Sequence, residues 1–267
     1  MARVWIIRSI LCAVTVWLPF STHQSLAQGR METGFLDRFI DFEGSRYHYQ
    51  VYVPSSYTPT ERWPVILFLH GMGEQGRDGL LQTQVGLAVA IRQHPSRYPA
   101  IVVFPQAPKD SLWVGTTAHM AMAALGKTVE EFQTDAGRVY LTGLSMGGNG
   151  TWYLAYRNPA LFAAVVPVCG WVTPFKRQHQ IVETVIPVAE KAPFDALAAR
   201  LARVPIWIFH GEEDASVPVD ESRQAAAALT AAGAAVQYTE LPGVGHNSWD
   251  AAYGSLKFTT WLFQQKR

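Results

Sequence analysis

The chain of 267 residues has little charge, few cysteines and no repeats. Lysine and arginine nearly balance aspartate and glutamate, and no run of five like charges occurs. A nucleic-acid binder would carry a basic face, so a polyanionic partner is not expected. Low charge with abundant apolar residues suits a chain that buries a large core and excludes a disordered or fibrous one. No internal repeat or low-complexity linker divides it, and no His/Cys cluster has metal-ligand spacing. Only Cys12 and Cys169 are present.

The first thirty residues differ from the rest. Arg3 and Arg8 precede an apolar stretch, Ile10 to Phe20, broken only by Thr15 and Pro19, and a polar segment then ends in Ser25-Leu26-Ala27. A basic flank, a short apolar run and small residues at −3 and −1 make up a secretory signal. The run is short for a permanent bilayer span, the alternative being an uncleaved anchor. Cleavage after Ala27 is therefore expected, leaving residues 28–267 as a single domain that is secreted or periplasmic. No stable membrane association is expected once the signal is removed. Cys12 falls inside the signal and lacks the small preceding residue of a lipid-modified cysteine. Cys169 then has no partner for a disulfide and reads as a buried, inert thiol.

After residue 60 short apolar runs alternate with longer amphipathic ones, the pattern of a mostly parallel sheet with helices on both faces. Strands are expected at Val65–Leu69, Ile101–Phe104, Val139–Thr142, Ala164–Val168, Ile206–His210 and Val236–Leu241, after an antiparallel hairpin of Phe35–Phe42 and Tyr47–Val53. Helices are expected near 80–93, 119–133, 147–157, 219–232 and 248–264. The segment 171–196, with Pro174, Pro187 and Pro193 limiting any helix, reads as a cap or pocket wall, or as a plain surface excursion.

Gly143-Leu144-Ser145-Met146-Gly147 is a G-x-S-x-G motif. It follows a strand and precedes a helix, the context in which a serine is held at the apex of a sharp turn and side chains two residues away would clash. A nucleophilic serine needs a base, and the base needs an orienting carboxylate. In this architecture the acid and then the histidine follow the serine in the chain. Asp214, after the strand Ile206–His210, has the Asp-x-x-Val-Pro spacing to Val217-Pro218, with Glu212 and Glu213 as competitors. His246, flanked by Gly245 and Asn247, is the only histidine downstream of Asp214. The second requirement is a pair of backbone donors for an oxyanion. Met146, just after the serine, supplies one; Met72 in His70-Gly71-Met72-Gly73 supplies the other, or Gly71 does. His70 and His210 are expected to pack or to bond loops. Trp113 and Trp171, each after a strand end, are candidate pocket residues that could stack on a ring; Trp63, Trp152, Trp207 and Trp261 are expected in the core.

Leu69 to Gly76, Gly143 to Gly150 and Phe209 to Asp214 resemble the bacterial esterases and peptidase-like proteins related to dienelactone hydrolases, phospholipase/carboxylesterases and feruloyl esterases. The elbow with its continuation Gly150-Thr151-Trp152 and Phe162-Ala163-Ala164 is similar to that group in particular. The resemblance runs from about residue 45 to the C-terminus and implies an α/β-hydrolase fold. It departs from the dienelactone hydrolases in having Ser145 where they have cysteine. It further implies a two-step acyl transfer, for which no metal or organic cofactor is needed. The substrate expectation, short-chain or aromatic or carbohydrate-linked esters, comes instead from the nine tryptophans and the export signal. A peptidase of the prolyl-oligopeptidase kind uses the same triad, but a gating propeller would need residues this chain does not have to spare. A non-catalytic binding protein would be expected to have lost part of the site.

Overall fold

Residues 32–177, 180–184 and 191–267, with Met1, are described by a computed structural model. The expected signal sequence lies outside the described residues. Two strands open the domain, β1 (Gly34–Phe42) and β2 (Ser45–Val53), paired in antiparallel register from Gly34↔Val53 to Phe42↔Ser45. Glu43 and Gly44 both have positive φ (47° and 76°), the two-residue turn whose twist matches a hairpin. Next come β3 (Trp63–Leu69), α1 (Leu87–Gln93), β4 (Ile101–Pro105), α2 (Gly115–Glu131), β5 (Thr134–Leu144), α3 (Met146–Arg157) and β6 (Ala164–Val168). A small hairpin of β7 (Phe175–Arg177) and β8 (Gln180–Val182) follows, then α4 (Pro193–Leu201), β9 (Ile206–Gly211), α5 (Asp220–Ala231), β10 (Val236–Leu241), α6 (Trp249–Gly254) and α7 (Leu256–Gln264).

Eight strands form one sheet in the order β1-β2-β4-β3-β5-β6-β9-β10. From β4 to β10 every pairing is parallel, and β2 joins β4 antiparallel. Alternation along the strands sorts the core into two layers, because successive side chains leave a strand on opposite faces. Val65, Leu67, Leu69, Ile101, Val103, Ile206 and Ile208 pack with residues of α2, α3, α4 and α5. Ile66, Phe68, Val102, Phe104, Trp207 and Phe209 pack with α1, α6 and α7 on the other side. With both faces covered, the inner strands β3, β4 and β6 are apolar throughout, as expected of parallel strands buried on both sides.

Several expectations are corrected. β5 begins at Thr134 rather than Val139, since its polar start, Thr134-Asp135-Ala136-Gly137-Arg138, hides an extension that pairs Thr134 with Trp63. The expected helix 80–93 is a 3₁₀ turn, Leu81–Thr83, followed by α1, and Gly86 between them has φ 63°. The last helix is two, broken at Ser255, whose Oγ accepts the Phe258 N–H to cap the second. Proline does not prevent a helix near 193: Pro193 sits at the first position of α4, where its fixed φ suits a start and its missing N–H costs nothing. Trp63, Trp152 and Trp207 are buried, and Trp261 is partly buried against the second core layer.

Candidate active site

The carboxyl ends of β3, β5, β6 and β9 converge on Ser145. The serine joins β5 to α3 with φ 53° and ψ −116°, a backbone state unfavourable for a residue with a side chain. The glycines around it are obligatory. A Cβ at Gly147 would lie 1.9 Å from the Leu69 carbonyl oxygen, and one at Gly143 would lie 2.4 Å from that of Gly147. Ser145 N–H donates to the Val168 carbonyl (2.9 Å), fixing the turn against β6.

The structure brings the three side chains of the expected triad together. Ser145 Oγ lies 2.9 Å from His246 Nε2, and His246 Nδ1 lies 2.7 Å from Asp214 Oδ2. A carboxylate can only accept, so Nδ1 carries the proton and Nε2 is left to accept from the serine hydroxyl. The Asp214 carboxylate is fully buried and accepts four hydrogen bonds. Oδ1 takes the N–H groups of Ser216 and Val217, and Oδ2 takes His246 and, at 3.2 Å, His210 Nε2. Burial alone would raise its pKa, but bonds from His210, His246 and the Val217 amide outweigh burial and hold it well below the usual carboxylate range. Glu213 is exposed, and Glu212 instead accepts the Gly243 N–H at 3.0 Å, bracing the loop that carries His246.

His210 is buried, and its tautomer follows from its partners. Nε2 faces the Val217 carbonyl (3.2 Å) as well as Asp214, both acceptors, so it is protonated, and Ser222 Oγ donates to Nδ1 at 2.7 Å. The expectation of loop bonding holds, but the residue bonded is Asp214 itself. No sequence pattern singled out that contact, although the His-Gly-Glu-Glu-Asp run puts the two side chains four residues apart.

Met146 opens α3 and Met72 opens the 3₁₀ turn Met72–Glu74. Both N–H groups therefore belong to first turns, where the helix itself supplies no acceptor. The Gly71 N–H lies near the Glu74 carboxylate and favours its charged form. Burial raises the Glu74 pKa, and the amides of Gly71 and Glu74 oppose that rise. Gly71 and Met72, the two candidates for the second donor, both line the cleft over the serine.

A cleft of about 430 Å³ lies over the serine, lined among others by Gly71, Met72, Glu74, Ser145, His246 and Trp249. Trp113 and Trp171 are not among its lining residues, which corrects the expectation for both. Trp113 is completely buried, with its indole N–H on the His70 carbonyl (3.0 Å) and its Cβ against Gly150, where a methyl group would come within 2.4 Å. Trp171 is buried with its N–H on the Glu183 carbonyl (3.0 Å). The aromatic group that reaches the cleft is Trp249, edge-on to the His246 ring with centroids 5.4 Å apart. It falls within the expected helix 248–264, and its position three residues after the histidine was the available signal.

Of the segment 171–196, residues 171–184 as described do not line this cleft. Their root is tied down: Glu221 accepts from the amides of Val172 (2.8 Å) and Thr173 (2.9 Å), and Asn149 Nδ2 donates to the Trp171 carbonyl (2.8 Å).

Cys169 is buried, and burial pushes its thiol up to about 12. Its sulfur, Asp214 and His246 have ligand atoms within 4.8 Å of one another. That set suits a metal poorly, because the thiol holds its proton and both oxygens of Asp214 are already occupied by N–H donors.

His70 supplies a stability prediction. Its pKa is lowered to about 4 by burial, with the Gly71 carbonyl opposing the shift. Unfolded, it would titrate near 6.5. Between these values the unfolded chain holds the extra proton, so stability falls as pH drops from about 6.5 to about 4 and this loss stops growing below that. The window corresponds to up to about 3 kcal/mol at 1.36 kcal/mol per unit. Urea titrations at pH 7.0, 5.5 and 4.5 measure it; a free energy of unfolding that stays level across the three would contradict it.

Residues 42–264 match the Esterase family. The chain belongs to that family. Its α/β-hydrolase fold is shared with a thermostable esterase, 31% identical, with a TM-score of 0.73 and coverage of 87% of this chain and 63% of that one. A ferulic acid esterase of Anaeromyces mucronatus, solved with ferulic acid, is similar in fold at 19% identity and a TM-score of 0.61, covering 87% and 92% of the two chains. Est1E of Butyrivibrio proteoclasticus is similar in fold at 13% identity and a TM-score of 0.63, covering 86% and 99%. An uncharacterized secreted protein of Arthroderma benhamiae is 26% identical over an alignment of 205 residues that covers 68% of this chain and 21% of that protein. This member of the Esterase family thus spans about a fifth of that relative's length.

Proposed function

We propose that this chain is a serine carboxylesterase in which Ser145 is the nucleophile, His246 the general base and acid, and Asp214 the orienting carboxylate. The observation that carries the reading is the unbroken chain from Ser145 Oγ to His246 (2.9 Å) to Asp214 (2.7 Å) at the floor of an open cleft. Ser145 Oγ attacks the ester carbonyl carbon as its proton passes to His246 Nε2. The amides of Met146 and Met72 receive the oxyanion, each such donor contributing ~10²–10³ in rate. The bond from carbon to the alcohol oxygen breaks, and His246 returns its proton to that oxygen. Water, deprotonated by His246, then releases the acid and restores Ser145.

The substrate reading is a short-chain, aromatic or carbohydrate-linked ester. Support comes from a cleft walled by Met72 and Trp249 rather than by a long apolar tunnel, and from family membership. Export is part of the reading, on the strength of the basic, apolar and small-residue pattern ending at Ala27. Among the described residues no helix is long and apolar enough to cross a membrane.

The test is hydrolysis of p-nitrophenyl acetate, butyrate and octanoate and of methyl ferulate, beside a peptide p-nitroanilide, by the exported protein. Turnover of the acetate, butyrate or ferulate ester is expected, with no anilide cleavage and with an N-terminus at Gln28. Cleavage of the anilide alone would replace the esterase with a peptidase. Inertness of folded protein towards all five would return the non-catalytic reading, and a retained Met1 would sink the cleaved signal.

A further inference from the structure

We infer that His70 is a positioning residue for the oxyanion site, acting through the peptide plane between Gly71 and Met72. This inference rests on the proposal that the Met72 amide receives the oxyanion. His70 is completely buried at the end of β3, and both ring nitrogens are engaged. Nε2 accepts the Ala107 N–H at 2.9 Å, so it carries no proton. Nδ1 therefore does, and donates it to the Gly71 carbonyl at 2.6 Å. The same peptide plane holds the Gly71 C=O and the Met72 N–H, which point in opposite directions across a trans bond. Drawing the carbonyl into the core turns the amide out towards the cleft that Met72 lines.

The surroundings make this bond hard to lose. The histidine's own carbonyl accepts the Trp113 indole N–H at 3.0 Å, and the two rings meet edge to face with centroids 5.0 Å apart. Trp113 is in turn pressed against the nucleophile helix at Gly150. Ala107 grips the far end of the same loop, its carbonyl accepting the Gly76 N–H at 2.9 Å, and Gln106 Nε2 donates to the Glu74 carbonyl at 3.1 Å. The glycines at 71 and 73 leave the loop free to rotate its peptides, and His70 removes that freedom at the one peptide where direction matters. An oxyanion donor acts only if it is aimed before the charge develops.

The two amide replacements separate this role from plain packing. His70→Asn keeps a donor near Nδ1 and gives up the acceptor for Ala107; His70→Gln keeps a group near Nε2 and gives up the donor to Gly71. Each loses one buried bond, so their melting temperatures should fall alike. Inhibition by a short alkyl trifluoromethyl ketone, which forms a tetrahedral adduct with an oxyanion on the serine, reads the site directly. We expect His70→Gln to raise the inhibition constant about 10²-fold with KM for p-nitrophenyl butyrate changed only a few-fold, and His70→Asn to stay within about tenfold of wild type. Equal loss in both variants, or a folded His70→Gln that binds the ketone like wild type, would overturn the inference. If neither variant folds, Trp113→Phe, which removes the N–H on the His70 carbonyl but keeps a ring, should weaken ketone binding about three- to tenfold at unchanged KM; no change there also overturns it. Failure of wild type itself to bind the ketone would instead bring down the esterase reading.

Discussion

Replacing Ser145 by alanine is expected to lower kcat for p-nitrophenyl butyrate by about 10⁶-fold, the loss typical when a triad nucleophile is removed. Glycine at the same position should cost as much activity yet give a more stable protein than alanine. The reason lies in the backbone. At φ 53° and ψ −116° any residue with a Cβ is strained, by roughly 1–3 kcal/mol, and glycine is not. Glycine's extra freedom in the unfolded chain opposes this by about 0.4–1 kcal/mol. A net gain of about 1 kcal/mol over alanine remains, readable as a shift of the urea midpoint. The pair therefore tests two things at once. Turnover within a hundredfold of wild type in Ser145→Ala would remove the serine from the mechanism. A glycine variant no more stable than the alanine one would mean that the turn holds no strain for the serine to bear.

That turn is also where the sequence is most informative. Two glycines flanking Leu144-Ser145-Met146 admit few backbones once a strand precedes and a helix follows, and contacts of 1.9 and 2.4 Å for any added Cβ show why. Asp214 and His246 were legible for a different reason: the order of strands in a parallel sheet puts every strand-end loop on the same edge, so residues far apart in the chain are compared by topology rather than distance. What topology does not convey is which way a ring turns after leaving a strand end. Trp113 and Trp171 are at the correct edge but point inward, one onto His70 and the other onto Glu183. Trp249, at the start of the expected helix 248–264, turns into the cleft beside His246.

Hydrogen bonds between buried polar groups were harder still. His70 and His210 look alike in the sequence, each a histidine before a glycine at a strand end. Their tautomers are opposite, Nδ1–H in one and Nε2–H in the other, because one ring meets a backbone N–H at Nε2 and the other meets a carbonyl and a carboxylate there. No periodicity encodes that difference; it depends on which neighbouring loop arrives.

Asp214→Asn should reduce kcat by about 10⁴-fold, and the four donors around the carboxylate explain why so small a change does so much. A carboxylate can accept at both oxygens, and here both do: Ser216 and Val217 at Oδ1, His246 and His210 at Oδ2. An asparagine has one acceptor oxygen and one NH₂. If its oxygen stays with the two backbone amides, the NH₂ faces two imidazole N–H groups. His246 can relieve that clash only by moving its proton to Nε2, where it can no longer accept from Ser145. If the amide flips, the NH₂ instead faces two backbone N–H groups, which cannot change their protonation. Either arrangement leaves a buried donor against a donor, so a loss of about 1–3 kcal/mol in stability should accompany the loss of activity. Glu212→Gln should stay close to wild type, since that exposed side chain accepts from the Gly243 amide, a bond a glutamine oxygen can still accept. Steady-state kinetics and urea titrations of the two variants decide the assignment. An Asp214→Asn enzyme within tenfold of wild type, or a Glu212→Gln enzyme crippled to the 10⁴ level, would transfer the acid's role away from Asp214.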